Sequence, residues 1–201
     1  ALAVNIETTG ITVMSADLLG TGCRLKQYPV RAFDEGFFSF LLETLKAAIE
    51  TLPPSRYGVV GICLGVHGVS RGNQMIFAPY YSLDKELAGR LTESLDIPVY
   101  LYNEANLSVL GERTFAFNFP DMINISIHSG VGMGILIHDR LYTGANGFAG
   151  ELGHTIVEPD GRPCPCGNHG CLEQYISERA LLQDLSEQKG KPVSLDELIR
   201  L

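Results

Sequence analysis

A chain of 201 residues, 45% of them hydrophobic and 22 of them glycine, can bury one good core or two smaller lobes. Its formal net charge of -8, with no cluster of Lys or Arg, excludes a nucleic-acid surface on this chain, because such surfaces show as basic patches. No apolar run is long enough to span a bilayer, and the opening Ala-Leu-Ala-Val-Asn lacks the basic start of a signal peptide. The chain begins at Ala1 rather than Met, as a piece of a longer protein would.

The spacing of apolar residues predicts three short strands first, Leu2 to Glu7, Ile11 to Ala16 and Gly22 to Val30, with turns at Gly10 and at Leu18 to Gly20. A helix is predicted from Glu35 to Thr51, where Phe37, Phe38, Leu41, Leu42, Leu45 and Ile49 recur at helical spacing and Pro53-Pro54 stops the run. Val59 to Val66 reads as a buried strand, Gln74 to Ala78 as a short one, and Leu83 to Ser94 as an amphipathic helix. A strand at Val99 to Tyr102 and a helix from Glu104 to Phe117 complete a β-β-β-α-β-α-β-α order, which fits an α/β layer fold with a mixed sheet.

A second unit is expected from about residue 121. It opens with a strand from Ile123 to His128, the glycine loop Ser129 to Gly134, and a strand through Ile137. Glycine-rich loop, a cysteine cluster and helices at Leu172 to Glu187 and Leu195 to Leu201 follow. The expected division is residues 1–120 and 121–201, the second unit having too few strands to mirror the first.

Five cysteines with no secretion signal point to metal binding in a reducing, cytoplasmic setting rather than to disulfides. Cys23 is isolated, and Cys63 lies in an apolar strand as inert core. Cys164, Cys166 and Cys171 cluster in Cys-Pro-Cys-Gly-Asn-His-Gly-Cys, where Gly167 and Gly170 let the backbone turn tightly. Zinc takes four thiolate or imidazole ligands in a tetrahedron. Two histidines are near enough to be the fourth, His169 inside the loop and His154 before it. Fastening the loop to its neighbour needs a ligand from outside, which favours His154. Four protein ligands leave no open position, so the site is structural. The competing reading is three reduced thiols in a surface loop, but chance rarely brings three cysteines and two histidines so close together.

The segment Gly150-Glu-Leu-Gly-His154, continuing through the cysteine cluster to Glu173, resembles the signature of the ROK family of bacterial sugar kinases and sugar-responsive repressors. The predicted element order is also similar to the ribonuclease H-like unit of actin-like sugar kinases. The resemblance covers essentially the whole chain and implies an actin-like, two-lobed fold, a homodimer or higher homo-oligomer, and a sugar held between the lobes. It implies that His154 is both zinc ligand and sugar contact. It also implies sugar contacts at Glu151 and Glu173, at Asn103-Glu104 and beside Gly68. Carboxylates and an amide suit a ligand that offers many hydroxyls. Without the resemblance, Glu104 is a helix N-terminal acid favoured by the dipole, and Glu173 is ordinary helix surface.

The family's kinases carry Asp-x-Gly-Gly-Thr-Lys at the first hairpin and an Asp as general base. This chain reads Asn5-Ile-Glu-Thr-Thr-Gly10 there, so Glu7 and Thr8 stand where a phosphate cradle needs bare backbone. The base position holds Glu104, chemically competent but longer by a methylene. ATP is therefore not expected as a ligand, and the expected function is a non-catalytic sugar-sensing domain of a repressor whose DNA-binding segment lies outside this chain. The alternatives are a divergent kinase using Glu104 as base and a zinc-braced interaction module with no ligand.

Overall fold

In the computed structural model, which describes residues 1–8, 10–30 and 32–200, the chain forms two compact units, Ala1–Glu104 and Ala105–Leu201. In the first unit, alternation along β1 (Leu2–Ile6) and β2 (Gly10–Ser15) puts Leu2, Val4, Ile6, Ile11 and Val13 into the core. With β3 (Arg24–Pro29), β4 (Ile62–Val66) and β7 (Val99–Asn103), they make one sheet in the order β3-β2-β1-β4-β7. The β1–β2 and β2–β3 pairs are antiparallel, whereas β1–β4 and β4–β7 are parallel. β4 reads Ile-Cys-Leu-Gly-Val and is apolar throughout, as a central parallel strand must be. It starts at Ile62, not at the expected Val59, because its partners Leu2 and Val99 begin there.

Helices cover the sheet. α1 (Phe37–Glu50) buries Phe37, Leu41, Thr44 and Leu45, one stripe at helical spacing. Leu41 and Leu45 are fully buried, each contributing about 1.5–3 kcal/mol. α2 (Leu87–Leu95) starts later than Leu83 because the Asp84 carboxylate accepts the Glu86 N–H and the Asp84 carbonyl accepts the Leu87 N–H, which uses residues 84–87 as a turn. The hairpin β5 (Val69–Arg71) and β6 (Gln74–Phe77) forms a separate two-stranded sheet. The sequence pattern predicts only β6, because β5 is three residues long.

The second unit holds the antiparallel sheet β10-β9-β8, made of β8 (Met122–Ile127), β9 (Val131–Ile137) and β10 (Arg140–Leu141). It also includes all of α3 (Glu104–Phe115) after its first residue, so the compact units divide after Glu104, where the sequence suggests residue 120. The contacts explain why. A methyl group on Gly134 would collide with the Ala105 carbonyl and the Val109 side chain, and one on Gly132 with the Ala105 methyl. Two glycines of the glycine loop thus seat α3 on β9.

The expected helix from Leu172 to Glu187 is two helices, α4 (Glu173–Ile176) and α5 (Glu178–Lys189). Ser177 between them is extended and fully buried, and its hydroxyl accepts the Ala180 N–H as the N-cap of α5. The Glu178 N–H donates to the His128 carbonyl, which fixes the break. α6 (Leu195–Ile199) opens on a capping box between Ser194 and Glu197. The expected end of that helix at Leu201, like Thr9 of the first hairpin, lies outside the described residues. No helix among the described residues is long and apolar enough to cross a membrane.

Candidate sugar-binding residues and metal centre

The metal ligands come from a loop folded back on itself. The Cys164 N–H donates to the Asn168 carbonyl and the Gly167 N–H to the Cys164 carbonyl, a tight turn that Gly167 closes at φ +95°. This turn carries Cys164 and Cys166. The loop is stitched to the preceding segment by a bridge between Ile156 and Cys171 and by hydrogen bonds from Val157 to the Gly170 carbonyl and from Leu172 to the Thr155 carbonyl. Gly170, at φ +72°, lies so close to the Glu158 carbonyl that no side chain fits.

His154 comes from a single 3-10 turn, Leu152–His154. Methyl groups on Gly150 and Gly153 would strike the Met133 and Val131 carbonyls, so Glu-Leu-Gly-His is pressed directly onto β9. The result brings Nδ1 of His154 to 3.6 Å from Sγ of Cys164, and Sγ of Cys166 to 3.7 Å from Sγ of Cys171. A tetrahedral zinc with bonds of about 2.3 Å to sulfur and about 2.0 Å to nitrogen sets sulfurs about 3.8 Å apart and sulfur and nitrogen about 3.5 Å apart. All four ligand atoms lie within 4.8 Å of one another, so an ion needs to draw the wider pairs in by only about 1 Å. The donor set fits the ion. His154 lies in this cluster, whereas His169 is exposed and is not part of it.

With Nδ1 turned to the cluster, Nε2 of His154 is the nitrogen left to carry a proton, and it lies 3.8 Å from the Glu151 carboxylate. Burial raises the pKa of Glu151, with the negative charge of Glu173 acting the same way and His154 opposing. Glu173 is 3% exposed, so it is not helix surface. Its Oε2 accepts the Val131 N–H at 3.0 Å, and its Oε1 lies 3.4 Å from Arg179 and from the Gln174 amide. Gln174 also reaches Sγ of Cys164 at 3.5 Å, linking the acid to the metal cluster. Glu151, His154 and Glu173 are therefore one group within the second unit.

The first unit contributes a second group. Ile6, Val66 and Asn103 pair side by side at the carboxyl ends of β1, β4 and β7. The residues that follow, Glu7, His67 and Glu104, leave the sheet at that edge, where open α/β sheets bind ligands. Nδ1 of His67 lies 2.9 Å from Oε2 of Glu104, and the Asn103 amide donates to the Gly68 carbonyl at 2.8 Å. Gly68 has φ +142° and no room for a methyl against the Phe77 carbonyl, a packing reason for glycine that does not depend on a sugar. The Asn5 amide donates to the Glu7 carboxylate at 3.0 Å, and Oδ1 of Asn5 is buried without a hydrogen-bond partner among the described residues. A cavity of about 600 Å³ lined by Leu18, Leu52, Pro53 and Tyr57 shares no residue with this group.

Sequence reasoning misses His67 and Arg179. His67 is legible in principle, since it directly follows a predicted strand of the parallel set. Arg179 is not, because its partner Glu173 gives no sign of being buried.

A mixed α/β sheet, followed by a unit whose loop gathers three cysteines and a histidine able to hold a metal, defines an actin-like, ribonuclease H-like protein. The ROK family profile matches residues 2–201, and the chain belongs to the ROK family. It is 38% identical over 165 residues to the xylose repressor of Bacillus subtilis (strain 168), a match that covers 80% of this chain and 43% of the repressor. It is 29% identical over 207 residues to a glucokinase of Halalkalibacterium halodurans, covering 96% of this chain and 63% of the glucokinase. A ROK family glucokinase from Streptomyces griseus, solved in complex with glucose and AMPPNP, superposes with a TM-score of 0.83 at 29% identity, over 94% of this chain and 62% of that one. The chain thus spans less than half of the repressor and under two thirds of each glucokinase.

Proposed function

We propose that this chain is the sugar-binding part of a ROK transcriptional regulator and does not transfer phosphate. The observation that carries the proposal is the first hairpin. Where the family's kinases have an Asp and a bare glycine pair, this hairpin has Asn5 and the Glu7 carboxylate, joined by a hydrogen bond. A carboxylate there repels a triphosphate, and side chains fill the space that a phosphate cradle leaves to backbone N–H groups. The second glycine loop, Ser129 to Gly134, keeps its glycines, but Gly132 and Gly134 also seat α3 on β9, so their presence does not by itself point to ATP. The similarity to xylose repressors supports the same reading.

In this reading a small sugar such as a pentose or hexose is held by Asn103, Glu104, Glu151, His154 and Glu173, with Gly68 beside it. Zinc on His154, Cys164, Cys166 and Cys171 supplies rigidity and leaves Nε2 of His154 as a donor. DNA contact belongs to a segment outside this chain of net charge -8, and the signal passes through a homodimer in the cytoplasm. Sugar changes operator affinity only through a difference in its affinity for two states of the protein.

The likeness to glucokinases favours one alternative, a kinase with Glu104 as base. One experiment separates the two: metal-loaded protein is given ATP, magnesium, and D-xylose, D-glucose or an N-acetyl hexosamine. Saturable sugar binding by calorimetry without ADP release is the expected result. ADP release that Glu104→Gln abolishes establishes a kinase.

A further inference from the structure

We infer that His67 is the positioning residue for Glu104, holding its carboxylate as a fixed acceptor for a sugar hydroxyl. The inference rests on the sugar-binding reading above. It starts from the strand ends, where β4 and β7 run parallel with Val66 opposite Asn103, so the next side chains, His67 and Glu104, meet. Their 2.9 Å separation is that of a strong, charge-assisted hydrogen bond.

An ion pair between mobile surface side chains would carry little meaning. This pair is only partly exposed, 21% for His67 and 29% for Glu104, and its backbone is pinned on both sides. The His67 N–H donates to the Tyr81 hydroxyl at 2.8 Å, and that hydroxyl donates to the Ile6 carbonyl at 3.0 Å. Tyr81 is 8% exposed and stacks on Phe33 with ring centroids 4.6 Å apart. Burial raises the pKa of Tyr81, and the nearby charges of Glu104 and Glu7 do the same, so the hydroxyl keeps its proton and remains a donor. On the other side, Gly68 is wedged under the Phe77 carbonyl and held by Asn103. The ends of three strands are thereby tied together, which fixes the backbone positions from which the imidazole and the Glu104 carboxylate meet.

The consequence is geometric. Glu104 is one methylene longer than the Asp of the family's kinases, and a free glutamate at this point would sample several rotamers. His67 removes that freedom by occupying Oε2. A carboxylate held in one orientation directs hydrogen bonds, which is what recognition of a particular hydroxyl requires.

A double-mutant cycle tests this on the full, metal-loaded chain, with D-xylose and D-glucose as probes and calorimetric Kd as readout. His67→Ala and Glu104→Gln are each expected to weaken binding about 10-fold, as loss of a charge-assisted hydrogen bond does. The double variant is expected to bind no worse than Glu104→Gln alone, as a positioning role through that carboxylate requires. His67→Asn, whose amide nitrogen falls close to the Nδ1 position, is expected to bind within about threefold of the unaltered protein on the same grounds. If His67→Ala does not fold, His67→Leu takes its place in the cycle. Multiplicative effects of the two substitutions, or no rescue by Asn, overturn the inference. Absence of any sugar binding in the unaltered protein sinks the sensor reading itself, whereas binding that ignores His67 sinks only this inference.

Discussion

The residues that give this chain its chemistry also have packing duties, and the glycines show this most directly. Gly134 has no room for a methyl between the Ala105 carbonyl and Val109. Gly134→Ala is expected to destabilise the protein by about 1–3 kcal/mol, the cost of overpacking, read as a lower urea midpoint with an unchanged slope. Glu173 has a similar double character, since its carboxylate holds the Val131 N–H while belonging to the predicted sugar contacts. What the sequence reveals at this scale is residue type and spacing: the three cysteines and His154 are legible because metal chemistry restricts both. His67 is legible as the residue after a predicted strand, but its pairing with Glu104 is not, because that depends on the register of two strands separated in sequence.

At the scale of elements, sheet and helices follow period-2 and period-3.6 patterns long enough to read, and every expected element through the strand ending at Ile137 forms. The failures are short or buried features. β5 and β10 are too brief to carry a pattern. The break between α4 and α5 is hidden because Ser177 sits in an otherwise helix-compatible run, and its capping role depends on the turn of the backbone there. Ser177→Ala removes that cap and is expected to cost about 1 kcal/mol, seen as a lower midpoint of thermal unfolding while metal content stays the same.

For the whole molecule, the candidate metal cluster belongs to the second unit alone, because His154, Cys164, Cys166 and Cys171 all lie after residue 104. Chelation is therefore expected to speed amide exchange in 150–180 while the β1–β4–β7 core of the first unit keeps its protection, a contrast that hydrogen exchange measures directly. The pH dependence of metal binding follows from the thiols. Burial and neighbouring sulfurs push Cys171 up to about 12, and burial raises Cys164, so in the absence of an ion both thiols hold their protons at neutral pH. Binding must release those protons. Apparent affinity is expected to fall as pH falls and rise as pH rises, and competition against a chelator of known affinity at several pH values checks the sign.

Gly150 and Gly153 have no room for a side chain against the carbonyls of β9, and Gly150 also holds φ +90°. A descendant that had lost every hydroxyl contact would still be held to both positions by the shape of its own backbone. The Gly-Glu-Leu-Gly-His stretch is in that sense two inscriptions in one line: its glycines record the packing against β9, and Glu151 and His154 carry the side chains that chemistry can use.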